Sequence, residues 1–390
     1  MPSRFKWAAM LFVALLALSA GFYRWPISSA FVVEETSARL SHSLGLELGR
    51  PARVRLNLLP MPTLHMVDVE VRGQDKAIVL TAPEASVRLA LLPLLIGNFE
   101  FASAILRRPT ILVDLDSHPF ASGSAISSRI GAKGGAKQAA PLGALQIKGG
   151  LVRIVSAANN IDTIVEDVEG AFDWPKLDSP LRVDWRATWR DERLAIEASL
   201  GAPADLLGGG RSDSRLSIAS SNVQIKLEGD ILGAEKRFEG SVSADVVSAS
   251  ALKRVLGLPD ASGLPNGRVS LAAKIAANAQ MLTLSAMQLS VLEQSFEGAL
   301  AFTRPSKRLS ISGTLAADQL NLEPILASAP SLFDAKGDWS VAPFNFTPLT
   351  ALDFDLRMSA AEVKWRDHPL TDAAIELLSE GGRLTATLAE

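Results

Sequence analysis

The chain has no cysteine, which excludes disulfides, thiolate nucleophiles and cysteine-held zinc or iron–sulfur centres, and leaves the redox state of its compartment open. Its four histidines, His42, His65, His118 and His368, stand far apart, with no HExxH-type arrangement around any of them. No G-x-S-x-G elbow occurs, and Gly208-Gly209-Gly210 is followed by Arg211-Ser212 instead of the Lys-Ser/Thr of a phosphate loop, so it reads as a turn. Aromatic residues are scarce at 6%, and neither sign of charge is in excess: 39 basic against 42 acidic residues give a net charge of −3. There is no basic stripe with interleaved aromatics, hence no expected nucleic-acid partner. The closest approach to a carboxylate pair is Asp114 with Asp116, and Asp353 with Asp355, each two residues apart on one strand; both read as solvated strand faces. The seven tryptophans, Trp185 and Trp189 among them, offer a binding surface as one reading and sheet packing, for most of them, as the other. No catalytic residue, metal ligand or cofactor is expected, and the chain does not read as an enzyme.

What is abundant is apolar. Hydrophobic residues make up 48% of the chain and mean hydropathy is +0.20, high for a β-rich chain with a wet face. Part of this lies at the N-terminus. Arg4 and Lys6 precede an uncharged apolar run of 17 residues from Trp7 to Tyr23, the lower limit for spanning a bilayer. Within it Phe12, Leu15 and Phe22 would face lipid, while Trp7 at one end and Tyr23 with Trp25 at the other would form interfacial belts. Arg4 and Lys6 would hold the short end in the cytoplasm, placing the rest in the periplasm. A cleaved signal peptide is the competing reading, since Ala17-Leu18-Ser19-Ala20-Gly21 offers a peptidase site. From Ile27 to Leu48, the spacing of Ile27, Phe31, Ala38 and Leu44 predicts an amphipathic helix ending near Gly45 or Gly49.

The stretch from Gly49 to Asp116 is a succession of strands. Val54, Leu56 and Leu58 alternate with Arg53, Arg55 and Asn57; Val87, Leu89 and Leu91 repeat the pattern, as do Ile111, Val113 and Leu115. The apolar phase slips by one between Met66 and Val67, which predicts a bulge. Pro60, Pro62, Pro83, Pro93 and Pro109 are placed between strands. Residues 117–141, rich in Gly, Ser, Ala and Lys, read as a flexible linker or loop. Strand signals then resume and persist to the end, with few helical interruptions (Ala249 to Leu256, Leu322 to Leu326). Phe238-Glu239-Gly240, Phe296-Glu297-Gly298 and, more loosely, Leu227-Glu228-Gly229 form a weak repeat, read as Gly turns at strand starts in a stack of similar units.

The order of several short pieces resembles the AsmA-like (AsmA/TamB-type) proteins of the Gram-negative envelope: Gly49-Arg50-Pro51, Leu59-Pro60-Met61-Pro62, Asp68-Val69, Leu92-Pro93-Leu94-Leu95 with Gly97, and Arg108-Pro109 opening an apolar strand. SFEGALAF, RLSISGTLAADQLNLEPIL and GDWSVAPFNFTPLTALDFDLRMSAAEVKW are similar to that family's C-terminal module, including Trp339, Pro343, Asp353, Asp355, Leu356, Arg357, Ser359 and Ala360. Family members run on through further strands, whereas this sequence stops inside one at Leu384 to Glu390, so the resemblance implies a fragment or a shortened member. It also implies a role in phospholipid traffic between inner and outer membranes and in outer-membrane assembly.

The expected protein is mostly β: residues 1–25 a transmembrane anchor, 26–116 a helix plus an N-terminal β module, 117–141 the linker, and 142–390 a repetitive β-meander. Roughly 25 to 30 strands at about 4.8 Å spacing would make a twisted antiparallel sheet on the order of 100 Å long, too long to close as one small barrel and curled into a groove. Val54, Leu56, Leu58, Leu89, Leu91, Ile111 and Val113 are the expected lining of that groove, and membrane phospholipid its expected occupant. The alternative is an assembly or scaffold factor for outer-membrane β-barrel proteins, acting by strand-edge pairing with partner chains.

Overall fold

The computed structural model describes residues 25–27, 46–73, 78–90, 101–116, 139–157, 161–176, 178–248, 267–303, 309–323, 352–365 and 368–389. They fall into two units, Met1–Gly209 and Gly210–Glu390.

The first unit contributes the strands β1 (Trp25–Ile27), β2 (Leu46–Leu48), β3 (Arg53–Asn57), β4 (Thr63–Gly73), β5 (Ile78–Leu89), β6 (Phe101–Arg107), β7 (Thr110–Asp114), β8 (Ala139–Ser156), β9 (Ile161–Lys176), β10 (Leu181–Trp189) and β11 (Glu192–Leu200). A single turn of helix, α1 (Pro203–Leu207), starts on the proline, whose missing N–H costs nothing there. β4 pairs with β5 along one edge, and with β3 and β2 in succession along the other. β6 and β7 lie end to end against β5, with the Arg108-Pro109 step between them. β8 runs parallel to both, and β9 to β11 follow as an antiparallel meander.

The second unit contains β12 (Arg211–Ala219), β13 (Val223–Leu232), β14 (Arg237–Val246), β15 (Val269–Ala277), β16 (Met281–Val291), β17 (Gln294–Thr303), β18 (Leu309–Asn321), β19 (Leu352–Trp365), β20 (His368–Glu380) and β21 (Arg383–Ala389). Each pairs with the next, antiparallel throughout except for β18 with β19.

The architecture is mostly β, with three differences from the expectation. The sheets are mixed: the steps onto β8 and β19 are parallel, and each follows a stretch long enough for the crossover that a parallel pairing needs. Of the stretch from Ile27 to Leu48 expected to be helical, Ile27 pairs with Val54 and Leu46–Leu48 pairs with Val71 to Gly73 as strands, the latter following the expected stop near Gly45; residues 28–45 lie outside the described residues. Twenty-one strands lie among the described residues, and some run longer than the local pattern suggests; β8 passes through Gly149-Gly150 over 18 residues. It also begins at Ala139, inside the segment expected to be linker, the remainder of which lies outside the described residues.

The predicted phase slip is present, and it involves two strands. Leu64 and Met66 point inward, then Val69, with Asp68 at φ 55°; on β5, Ala82 and Ala85 make the same three-residue step. Because both strands slip together, Met66 still faces Ala85 and Val69 still faces Ala82. Pro83 is therefore inside β5 and not between strands. It sits at the slip, exposed, where the ladder has no bond for it to break. Around this step Leu48, Val54, Leu64, Met66, Val69, Val87, Leu89 and Leu106 form the first unit's main core.

The apolar-Glu-Gly repeat turns out to lie inside strands, not at turns. Gly229 of β13 faces Gly240 of β14, and a Cβ on either would overlap the carbonyl oxygen of Glu239 or Glu228 on the opposite strand. Gly298 of β17 and Gly313 of β18 approach the backbone of each other's strand in the same way. In the first unit Val168-Glu169-Gly170 is a further copy, with Gly170 against the backbone and ring of Trp185. These glycines mark creases where two backbones close to a distance no side chain permits. Gly240→Ala is expected to cost about 3 kcal/mol or more through backbone displacement. Gly73→Ala, where the nearest atom to a new Cβ is 3.5 Å away, is expected to lie within about 0.5 kcal/mol of the parent in urea denaturation.

Candidate functional site

The second unit's strands alternate strictly enough that their apolar side chains line up in rungs across the sheet. Leu282 faces Phe302, Phe302 faces Ile311, and Ile311 faces Phe354. The next rung runs Leu284, Leu300, Gly313, Leu356 and Leu377. At the other end, Ile225, Ala244, Leu271 and Leu289 continue the same face over β13 to β16. Ala273, Leu284 and Met287 are buried at its centre, with Val242, Leu271, Leu282, Leu300, Phe302 and Leu315 packed around them but only partly covered. Among the described residues no helix lies over this face, and the second unit's only described helical residues are Leu322 and Glu323.

The opposite face is polar. Gln224, Asp245, Ser270, Ser290 and Ser295 make one rung, and Lys226, Ser243, Ala272, Gln288 and Glu297 the next, enclosing a shallow hollow of about 550 Å³. Several of its charges form cross-strand ion pairs. Arg268 donates to Asp245 at 3.0 and 3.1 Å, and Arg211 to Asp230 at 2.5 Å, which holds the Asp230 carboxyl below the ordinary range. In the first unit Arg153 donates to Asp162 at 2.9 and 2.6 Å with the same effect on the carboxyl. These groups are exposed, Asp230 partly so, and the shifts report hydrogen bonding on a wet face and not a buried reactive group.

The seven residues expected to line a groove are dispersed. Val54 and Leu89 are 4% and 5% exposed, inside the first unit's core, with Leu56 packed against them. Ile111 packs on a second cluster of Ile147, Val168 and Ala187, and Val113 is half-buried opposite Ile78 and Ile154. Leu58 is not in a strand: β3 ends at Asn57, and Leu58 is 41% exposed in the loop that follows. Leu91 lies outside the described residues, as do Trp7, Phe12, Leu15, Phe22 and Tyr23 of the expected anchor; Trp25 is in β1, opposite Leu56. Among the described residues no helix is long and apolar enough to cross a membrane. Among the described residues, the second unit carries an apolar face whose flanking side chains are only partly covered. Leu271, Leu282, Leu300 and Phe302 were legible there as strand residues, but sequence alternation does not tell a face that will be covered from one that will not.

The polar residues singled out for possible chemistry have structural duties. The Asp116 carboxylate accepts from the Ser156 hydroxyl and the Ala157 N–H, both at 2.6 Å, while Asp114 accepts the Asp116 N–H at 3.0 Å. Asp353 accepts the Gly381 N–H at 3.0 Å. His65 Nδ1 is 3.1 Å from the Ser86 hydroxyl. Gly208 and Gly209 close α1, their N–H groups donating to Ala204 and Leu206 carbonyls. Trp185 packs against Gly170, and the Trp189 ring carries the Arg190 guanidinium 5.6 Å from its centroid. No group of three or more His, Asp or Glu among the described residues is placed to hold a metal.

No family model matches the chain, and neither a curated protein nor a solved structure matches it.

A half-open face predicts graded costs of truncation. Met287→Ala, at a site 1% exposed, is expected to lose about 2–4 kcal/mol. Leu282→Ala, on the partly covered rung, is expected to lose about 1 kcal/mol, both read from the urea midpoint at constant slope.

Proposed function

We propose that the chain is an AsmA-like envelope protein that carries phospholipid acyl chains along the apolar face of its second unit. In this reading the N-terminal run anchors it in the inner membrane, the bulk of the chain is periplasmic, and the activity contributes to inner-to-outer membrane lipid transport and outer-membrane biogenesis. The single observation that supports it most is the ordered apolar face across β13 to β20, partly exposed, with no described helix over it. Sheets that are apolar on one face cover that face with something.

The energetics give such a face a task. Taking a two-chain phospholipid out of a bilayer exposes about 30 methylenes at about 0.8 kcal/mol each, a barrier near 24 kcal/mol. Transition-state arithmetic turns that into about one escape per day. Leu, Ile and Phe side chains about 4.8 Å apart along each rung keep the tails out of water, while the headgroup stays hydrated at the open side. The lining assigned by this proposal is Leu271, Leu282, Leu300, Phe302, Ile311 and Leu315, in place of the residues buried in the first unit.

The test is native mass spectrometry and lipid extraction of the full chain gently solubilised from membranes. Co-purified diacyl phospholipid is expected with the parent. A Leu271→Glu, Phe302→Glu double variant that retains its β circular dichroism is expected to carry at least tenfold less, because a carboxylate facing acyl chains is left without hydration. Absence of lipid from the parent, or equal lipid on the variant, ends this reading.

A further inference from the structure

The first unit carries a second surface of a different kind, at the end of the β3–β4 hairpin. The loop Leu58-Leu59-Pro60-Met61-Pro62 holds two large apolar side chains away from any core: Leu58 is 41% and Met61 60% exposed. The wet face of the strands leading back from this tip is basic. In the rung nearest the tip, Asn57 faces Thr63 and Thr63 faces Arg88; in the next, Arg55 faces His65 and His65 faces Ser86. One rung further, Arg53, Val67, Glu84, Arg107 and Lys148 follow one another from β3 to β8. Arg53, Arg55, Arg88, Arg107 and Lys148 are all exposed. Glu84 is the one acid among them, 3.9 Å from Arg107. The patch ends at the Asp68 slip, beyond which Arg72 is tied to Glu70 at 2.8 Å and the face becomes mixed.

Five cations against one acid, in a chain whose net charge is −3, is a local concentration of positive charge and not a consequence of composition. Successive rungs on one face are about 6.6 Å apart along the strands, so Arg88 and Arg55 stand within about one headgroup layer of the exposed leucine and methionine. An apolar tip backed by arginines at headgroup depth is the arrangement by which peripheral segments seat on an anionic bilayer: the tip enters the acyl boundary and the guanidinium groups meet phosphate. A protein partner rich in acid would account for the arginines, but it leaves the two exposed apolar side chains at the tip unused.

We propose that the β3–β4 loop is a bilayer-docking tip, Leu58 and Met61 entering the interface and Arg55, Arg88 and Arg53 binding anionic lipid phosphates. This does not depend on what occupies the apolar face of the second unit. It gives the loop a role that the groove-lining expectation for Leu58 missed, and it leaves β3 as the strand that couples membrane contact to the first unit's core through Val54.

Because the chain has no cysteine, a single Met61→Cys in the full-length protein takes an environment-sensitive fluorophore at one site. Reconstituted in vesicles of phosphatidylethanolamine and phosphatidylglycerol, the label is expected to emit to the blue and to be quenched at least twofold by lipids bearing a nitroxide near the top of the acyl chain. In phosphatidylcholine vesicles quenching is expected to be several-fold weaker, each phosphate-facing cation being worth about fivefold in surface affinity. Adding Arg55→Glu with Arg88→Glu is expected to abolish it. Arg55→Gln with Arg88→Gln is expected to reduce it by an intermediate amount, and circular dichroism checks that both pairs keep the fold. A label unquenched in either lipid, quenched equally in both, or indifferent to the two arginines overturns the proposal.

Discussion

Strand alternation makes each sheet of this protein two surfaces of opposite chemistry, and every other feature follows from how the apolar one is disposed of. At about 25 cal/mol per Å², an uncovered rung of leucine and phenylalanine is a standing cost that something must remove. The first unit removes it internally. Val54, Leu64, Met66, Val69, Val87 and Leu89 close on one another around a paired phase slip, and the long side chains leave little exposed. The second unit does so in separate small clusters, around Ala273, Leu284 and Met287, around Phe296, Ala317, Ala360 and Val363, and around Val223 and Val246, and leaves the flanking side chains partly open. The same alternation thus yields one continuous core in one unit and a partly open face in the other. The difference lies in what stands opposite the face, a property that no single strand encodes.

That difference decides how much was legible in the residues alone. The β class, the slip near Met66 and the turn at Gly208-Gly209-Gly210 could be read from local pattern, because each depends on neighbours in sequence or on one strand's period. Asp114 and Asp116, read as a solvated strand face, are instead half-buried, and Asp116 lies past the end of β7 and accepts from Ser156 and Ala157 on a distant segment. Parallel steps were harder. They depend on where a connection returns, and the Gly/Ser-rich stretch before β8 read only as a linker although its length is what a crossover requires. Pro83 was placed between strands on the usual rule, and it lies within β5 because the slip supplies a position with no ladder bond. Leu58 kept the period of β3 by one residue too many; the alternation continues into the loop after hydrogen bonding has stopped at Asn57.

As proposed, the two surfaces would answer different needs. One would shelter hydrocarbon without altering it, for which buried titratable groups would be a liability; the ion pairs on the opposite side, Arg268 with Asp245 and Arg357 with Glu376, keep that side wet and suited to solvent. The other is a small tip with charge behind it, suited to fixing position and not to holding cargo. Carrying and docking make opposite demands on polarity, so separating them on different strands lets each be tuned without loss to the other.

The glycine creases bear on how such a sheet grows. In the second unit they fall between β13 and β14 and again between β17 and β18, four strands apart. Between creases the ladder carries side chains on both faces, with irregularities at Ala272/Lys274 and Leu284/Met287; at a crease two main chains touch and only hydrogen fits. A gene segment duplicated in blocks of four strands would keep every crease in step with the next and preserve the rungs, whereas insertion of a single hairpin would change the spacing between creases. Length in a protein of this kind would then change in discrete increments, each bringing its own pair of glycines.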